Sequence, residues 1–208
     1  MFSAKWILPI VFASASLGAQ SANDLNGLAV AAAHFVSSGM AGSHDPQPME
    51  LHRISGDNGA PGSGMLMSRA TDVQHWSFLY KLGAALPAAE PGAPEAAAPD
   101  RADIVLPRPH RAVLAECTQG VFNHFRYSPE PVAGLKSLEY TWVAESLDNA
   151  ILNLNANGYI RGFSSVALIR PDNPHVDDTF VYVFNCPWER RNVAISCQDG
   201  ALRWTEAY

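Results

Sequence analysis

Leu25, Leu28, Ala32, Phe35 and Val36 recur at intervals that place them on one face of a helix in "NDLNGLAVAAAHFVSSG". Asp24 is the expected N-cap and Gly39 the expected stop. The period then changes. "PMELHRI", "MLMSRA" and "HWSFLYKL" read as strands, and in the last of these Trp76, Phe78, Tyr80 and Leu82 share a face. "SGDNGAPGSG" between the first two is turn chemistry throughout, with Asn58-Gly59 able to supply positive φ. Helical spacing returns in "RAVLAECTQGVFNHFRY", where Leu114, Cys117, Val121 and Phe125 form a stripe weakened by Gly120. "LKSLEYTWVAE" reads as a strand with Leu138, Tyr140 and Trp142 on one face. "SLDNAILNLNANG" reads as a helix capped by Ser146, striped by Leu147, Ile151 and Leu154 and ended by Gly158. A strand through "AILNLN" is the competing reading. "GFSSVALIR", "TFVYVFN" and "VAISC" follow as strands.

A helix followed by strands, twice over, predicts an α+β fold: helices packed on antiparallel sheet, built from two related helix-plus-meander units. The boundary is expected at residues 87–109, where alternating Ala, Pro and Glu cannot build a core and each Pro biases its predecessor away from helix. It separates residues 23–86, a helix plus a meander, from an α+β unit at 110–208.

The first residues set the expected compartment. "MFSAKWILPIVFASASLGAQSA" carries one positive charge at Lys5, an apolar run from Trp6 to Ala13, and then small residues suited to signal-peptidase cleavage. Residues 1–19 therefore read as a signal peptide cut somewhere between 15 and 22. An uncut anchor is the alternative, but the run is shorter than the roughly 20 apolar residues of a membrane span. The mature protein is expected to be secreted, extracellular or periplasmic, with no membrane attachment after the signal is removed. The net charge of −6 argues against a nucleic-acid partner, and 48% apolar residues argue for a packed core. No cofactor is expected. No Cys-x-x-Cys or closely spaced His pair suggests a metal site.

Three cysteines allow one intrachain bridge and leave one thiol. Two of them flank "CPWERRNVAISC". A two-residue turn at Arg191-Asn192 would set Arg190 opposite Val193, Trp188 opposite Ile195, and Cys186 opposite Cys197 at bridging distance. That register predicts a Cys186–Cys197 disulfide with Cys117 buried as a free thiol. A bridge from Cys117 to one hairpin cysteine is the rival. The stiffened ribbon would carry Trp188, Glu189, Arg190 and Arg191. Trp188 has two readings, packed beneath the hairpin or exposed as a binding anchor beside two arginines.

The stretch "FVYVFNCPWERRNVAISCQDG" resembles the late hairpin of the cystatins, secreted inhibitors in which a helix is wrapped by antiparallel sheet. In that family a Pro-Trp enters a cysteine-protease cleft. The resemblance covers about twenty residues, and the Gln-x-Val-x-Gly of the family's other inhibitory loop is absent from this chain.

Catalytic motifs are few. "PDNPHVDD" places His175 beside Asp177 and Asp178, which reads as a solvated acidic loop ahead of a base with its orienter or a cation loop. His52 and His75 fall opposite apolar neighbours on strands and are expected to be exposed. His124 falls near a helix end. "GAPGSGM" lacks the Lys of a phosphate loop, and no Gly-x-Ser-x-Gly elbow occurs. The sequence therefore points to a small secreted, non-enzymatic, effector-like or inhibitor-like protein that binds a protein partner. The alternatives are a secreted hydrolase with a nonlocal His/Glu/Arg site and a structural envelope or wall component.

Overall fold

The computed structural model describes residues 25–40, 49–60, 64–82, 112–127, 134–138, 145–173 and 178–208. The signal segment, Asp24, the Pro/Ala-rich segment, Tyr140, Trp142 and His175 lie outside the described residues.

Helix α1 spans Leu25–Met40, and Leu25, Leu28, Ala29, Ala32 and Val36 form its buried stripe. Gly39, the expected stop, is the last residue but one of this helix. A Cβ there would sit 2.3 Å from Cε1 of Phe125, so the glycine marks a close helix-to-sheet approach. The strands are β1 (Met49–Asp57), β2 (His75–Leu82), β3 (Ala112–Thr118), β4 (Val121–Tyr127), β5 (Ser165–Ile169), β6 (Val181–Cys186), β7 (Arg191–Ser196) and β8 (Leu202–Ala207). Helix α2, Leu147–Ala156, precedes β5. Ser146 caps it by accepting the Asn149 N–H at 3.2 Å. Gly158 and Tyr159 close it by donating to the carbonyls of Asn155 and Leu154.

The eight strands among the described residues form one antiparallel sheet in the order β4-β3-β2-β1-β5-β6-β7-β8. Each half is a helix followed by a four-stranded meander, and the halves meet where β1 pairs β5. Strands β2 and β3 flank the Pro/Ala-rich segment and pair with each other along their length. In the sheet that segment is a connection inside the first half. The two four-stranded halves of the sheet divide between β4 and α2.

Both helices lie on one face. Their apolar stripes merge with Ile54, Trp76, Phe78, Tyr80, Val113, Cys117, Val166, Leu168, Tyr182, Phe184, Val193 and Ile195 into a single core. Tyr80 donates its buried hydroxyl to the Ala29 carbonyl at 3.0 Å, tying β2 to α1. Leu79, Ala112 and Leu114 form a small separate cluster on the other face.

Four local expectations are corrected. The predicted helix in "RAVLAECTQGVFNHFRY" is the β3–β4 hairpin. Gln119 and Gly120 both take positive φ, 51° and 81°, which ends any helix there and suits a tight two-residue turn. "MLMSRA" is not a strand: Met67 makes an isolated bridge to Phe163, and a 3-10 turn follows at Ala70–Asp72. Ser55 to Asp57, read as turn, continue β1. His52 is buried at 4% exposure because β1 shifts register between Leu51 and Arg53. That bulge turns His52 inward against the Leu135 carbonyl at 3.2 Å.

Candidate functional site

The hairpin of β6 and β7 is longer-looped than its sequence suggests. Cys186 pairs with Arg191, Phe184 with Val193 and Tyr182 with Ile195. The turn is the four residues Pro187 to Arg190, closed by the Arg190 N–H donating to the Pro187 carbonyl at 3.2 Å. This register overturns the expected Cys186–Cys197 staple. Cys186 stands at the tip end of the ladder, while Cys197 donates its N–H to the Phe180 carbonyl beyond the other end. At about 3.3 Å per strand residue the two cannot bridge. All three cysteines are buried free thiols. Cys117 is buried on strand β3, not on a helix. Burial raises the Cys186 thiol to about 12, with the Glu189 charge adding to it, and burial likewise raises Cys197 and Cys117.

Without a staple, packing and hydrogen bonds hold the tip. Cys186 and Val193 at its root have no solvent exposure. Asn185 donates from Nδ2 to Asn192 Oδ1 across the ladder at 3.0 Å. Its Oδ1 accepts the hydroxyls of Ser164 at 2.7 Å and Tyr208 at 3.2 Å. Arg191 Nη1 donates to Thr205 Oγ1 on β8 at 3.0 Å.

Trp188 projects from this support with 65% of its surface exposed, so the buried reading is overturned. The Arg161 guanidinium carbon lies 5.7 Å from the centre of its ring, a cation–π contact. Ile160, next to Arg161, is 73% exposed. The position of Arg161 is set by its neighbours. Met67 and Phe163 exchange two backbone hydrogen bonds, 2.8 and 2.9 Å, just after it. Gly162 has φ +88°, and a Cβ there would sit 2.6 Å from the Met67 carbonyl oxygen, so only glycine lets the chain pass. Arg161 is a residue of the tip that sequence reading misses. Nothing in "NGYIRG" announces that β5–β6 pairing will carry it to the hairpin tip.

Three arginines of the tip lack an ion pair, as do Arg69 and Lys81 elsewhere among the described residues. Arg126, Arg170 and Arg203 each pair with a carboxylate, Glu116, Asp178 and Asp199 respectively. Among the described residues no ion pair engages Arg161, Arg190 or Arg191, and all three are exposed. Glu189 turns partly inward, and its Oε2 is buried without a hydrogen-bond partner. Arg190 holds φ 52°, a left-handed conformation that hairpin loops usually give to Gly or Asn.

The helix-free face carries a second group of chemically active side chains. Glu116 on β3 lies between His124 and Arg126 of β4, in contact with the first and 3.4 Å from the second. His75 Nδ1 lies 3.2 Å from Asp57 Oδ2. Thr118 and Ser77 on the adjoining strands stand opposite His75 and Glu116. Glu189, Arg190 and Arg191 do not join this group, since it sits on β1 to β4 and β5 lies between β1 and the β6–β7 hairpin. Among the described residues no group of three His, Cys, Asp or Glu side chains is placed to hold a metal ion. No helix among them is long and apolar enough to cross a membrane.

No protein-family model matches the chain. No curated protein matches it. Among solved structures, a Clostridium difficile 630 protein described as a "putative lipoprotein" is similar at a TM-score of 0.43 and 6% identity, covering 83% of this chain and 89% of that one.

Proposed function

We propose that the chain is a secreted, non-enzymatic binding protein that engages a protein partner through the β6–β7 tip. The export reading rests on the signal-like first 19 residues, with cleavage between 15 and 22. The observation that carries the binding reading is Trp188: a large aromatic left 65% exposed on a hairpin whose root is fully buried, with Arg161 stacked over its ring. Removing an exposed indole from water rewards a partner with about 2–3 kcal/mol of apolar burial, and the preordered hairpin lowers the entropy lost on binding. Trp and Arg are the residue types that most often dominate binding energy. Affinity capture with the secreted chain tests the reading: a partner retained by the native protein should be lost with Trp188→Ala. Equal capture by both would refute it.

A second reading, a hydrolase, draws on the Glu116, His124 and Arg126 cluster with His75 and Asp57 nearby. A carboxylate between an imidazole and a guanidinium is an acid–base arrangement. Glu116→Gln separates the two readings, since it would abolish any hydrolysis and leave Trp188-dependent capture intact.

A further inference from the structure

We infer that the β6–β7 tip recognises an acidic segment of a protein partner, with an apolar side chain of that segment packed against Trp188 and Ile160. The inference rests on the binding reading above and names the chemistry of the partner.

Three observations converge. First, the chain has a net charge of −6, yet Arg161 stacks over one exposed tryptophan while Arg190 and Arg191 follow that tryptophan in the same hairpin, and among the described residues none of the three has an ion pair, whereas Arg126, Arg170 and Arg203 do. The nearby carboxylates are fewer: Glu189 is partly inward, and Glu206 is exposed on β8. Unmatched guanidinium groups are forked donors suited to bidentate carboxylates. Second, Arg190 occupies a left-handed position at φ 52° that glycine would fill with less strain. A cation held in a strained turn is explained when the charge itself is used. Third, Ile160, next to Arg161 in the chain, and Trp188, beneath its guanidinium, are both large exposed apolar side chains. Exposed aromatic and apolar side chains beside arginine are the composition of a protein-binding patch.

The same charges decide against extended polyanions. A nucleic acid or sulfated glycan would carry its charge beyond the tip and over an acidic molecule, with repulsion felt over about 8 Å at physiological salt. A short acidic segment keeps its charge where the arginines are.

The test uses the full mature chain and three synthetic peptides sharing a Leu-Phe anchor flanked by Asp and Glu, by Ser, or by Lys. Heparin and phosphatidylserine vesicles serve as non-protein anions. The expected result is binding of the acidic peptide, weakened by added salt, with little binding of the Lys-flanked one. Arg161→Glu should weaken it about tenfold, the scale of a lost hot-spot contact. Arg190→Gly should weaken it in the same direction while raising the unfolding midpoint, so that misfolding cannot account for the loss. Equal binding of acidic and Ser-flanked peptides, no binding of the acidic peptide, or tighter binding of heparin or vesicles would each overturn the inference. If that happens while Trp188→Ala still abolishes capture, the tip remains a binding site for another chemistry. If Trp188→Ala leaves capture unchanged, the binding reading fails as well.

Discussion

Replacing Gly56 with Ala adds one methyl group to the middle of β1, at a site that looks permissive from the backbone alone. Gly56 has no positive φ, so an alanine meets no conformational strain there. The change would ordinarily stabilise by about 0.4–1 kcal/mol, because it restricts the unfolded chain. The structure reverses the sign. Gly56 is paired with Trp76 on β2, and the new Cβ would lie 2.5 Å from Val73 Cγ1, 2.7 Å from Trp76 Cζ3 and 2.8 Å from Trp76 Cε3. Both neighbours are core residues, Val73 5% and Trp76 4% exposed, so neither can swing into solvent. Overpacking of this kind costs about 1–3 kcal/mol. Set against the smaller entropic gain, the expected net loss is about 1–2 kcal/mol. In a chain of this size that lowers the thermal midpoint by about 2–8 °C. Urea unfolding followed by tryptophan fluorescence measures it, with an unchanged slope showing that the compact state is otherwise intact. Val73→Ala provides the internal control. Combined with Gly56→Ala it opens room for the new methyl, so the double variant should be more stable than the sum of the single losses predicts. An alanine at 56 that is neutral or stabilising would refute the packing drawn here around Trp76.

Other outcomes follow from the same structure. The three cysteines should resist alkylation in the native protein and react once it is denatured, because burial raises each thiol and Cys186 reaches about 12; modification of any of them in native protein would contradict their burial. Arg190→Gly should stabilise the fold by about 1 kcal/mol by relieving the left-handed backbone, measured by chemical unfolding, and a loss of stability would show that the arginine supports the turn. Arg170 first, and Lys136 next, hold the Asp178 carboxyl down at about 2 from an ordinary 3.8. A lowered carboxylate contributes stability that is present above its unfolded value and lost as pH falls through the folded one. Asp178→Asn should therefore flatten the dependence of stability on pH between about 4 and 2, and an unchanged acid profile would remove the ion pair from the account.

Legibility varied with how local the deciding interaction is. "HWSFLYKL" reads correctly because its period of two is carried by four large side chains, all buried on one face. Helix α2 reads correctly because Ser146 and Gly158, its start and end signals, lie within the segment. "RAVLAECTQGVFNHFRY" fails because its apolar residues satisfy both periods. Leu114 and Cys117 fit a helical stripe, yet they stand on opposite faces of β3, both buried. The turn at Gln119-Gly120 decides between the periods. The hairpin register fails for a related reason. Strands β6 and β7 are apolar on both faces, with Val181 and Tyr182 both buried and Ala194 and Ile195 both buried, so burial does not penalise a slip. The exposed arginines of the tip were legible as candidates, but Arg161 belongs to the site only through the strand ladder. The Glu116, His124 and Arg126 cluster was hidden by the mistaken helix, which put His124 at a helix end rather than across from Glu116.

The pairing of β1 with β5 has a kinetic consequence. Every other ladder of the sheet joins strands consecutive in the chain, whereas this one closes the longest loop of any. Loop closure delays such contacts, so each half is expected to condense around its own helix before the two dock. Until docking, each half carries an open strand edge beside an apolar face, and the edge of one is shaped to receive the edge of the other in antiparallel sense. A nascent half can meet that need in a neighbouring copy as well as in its own chain. Concentrated refolding should thus yield exchanged dimers, and dilution should favour the monomer, with the crossing point set by how fast β5 returns to β1.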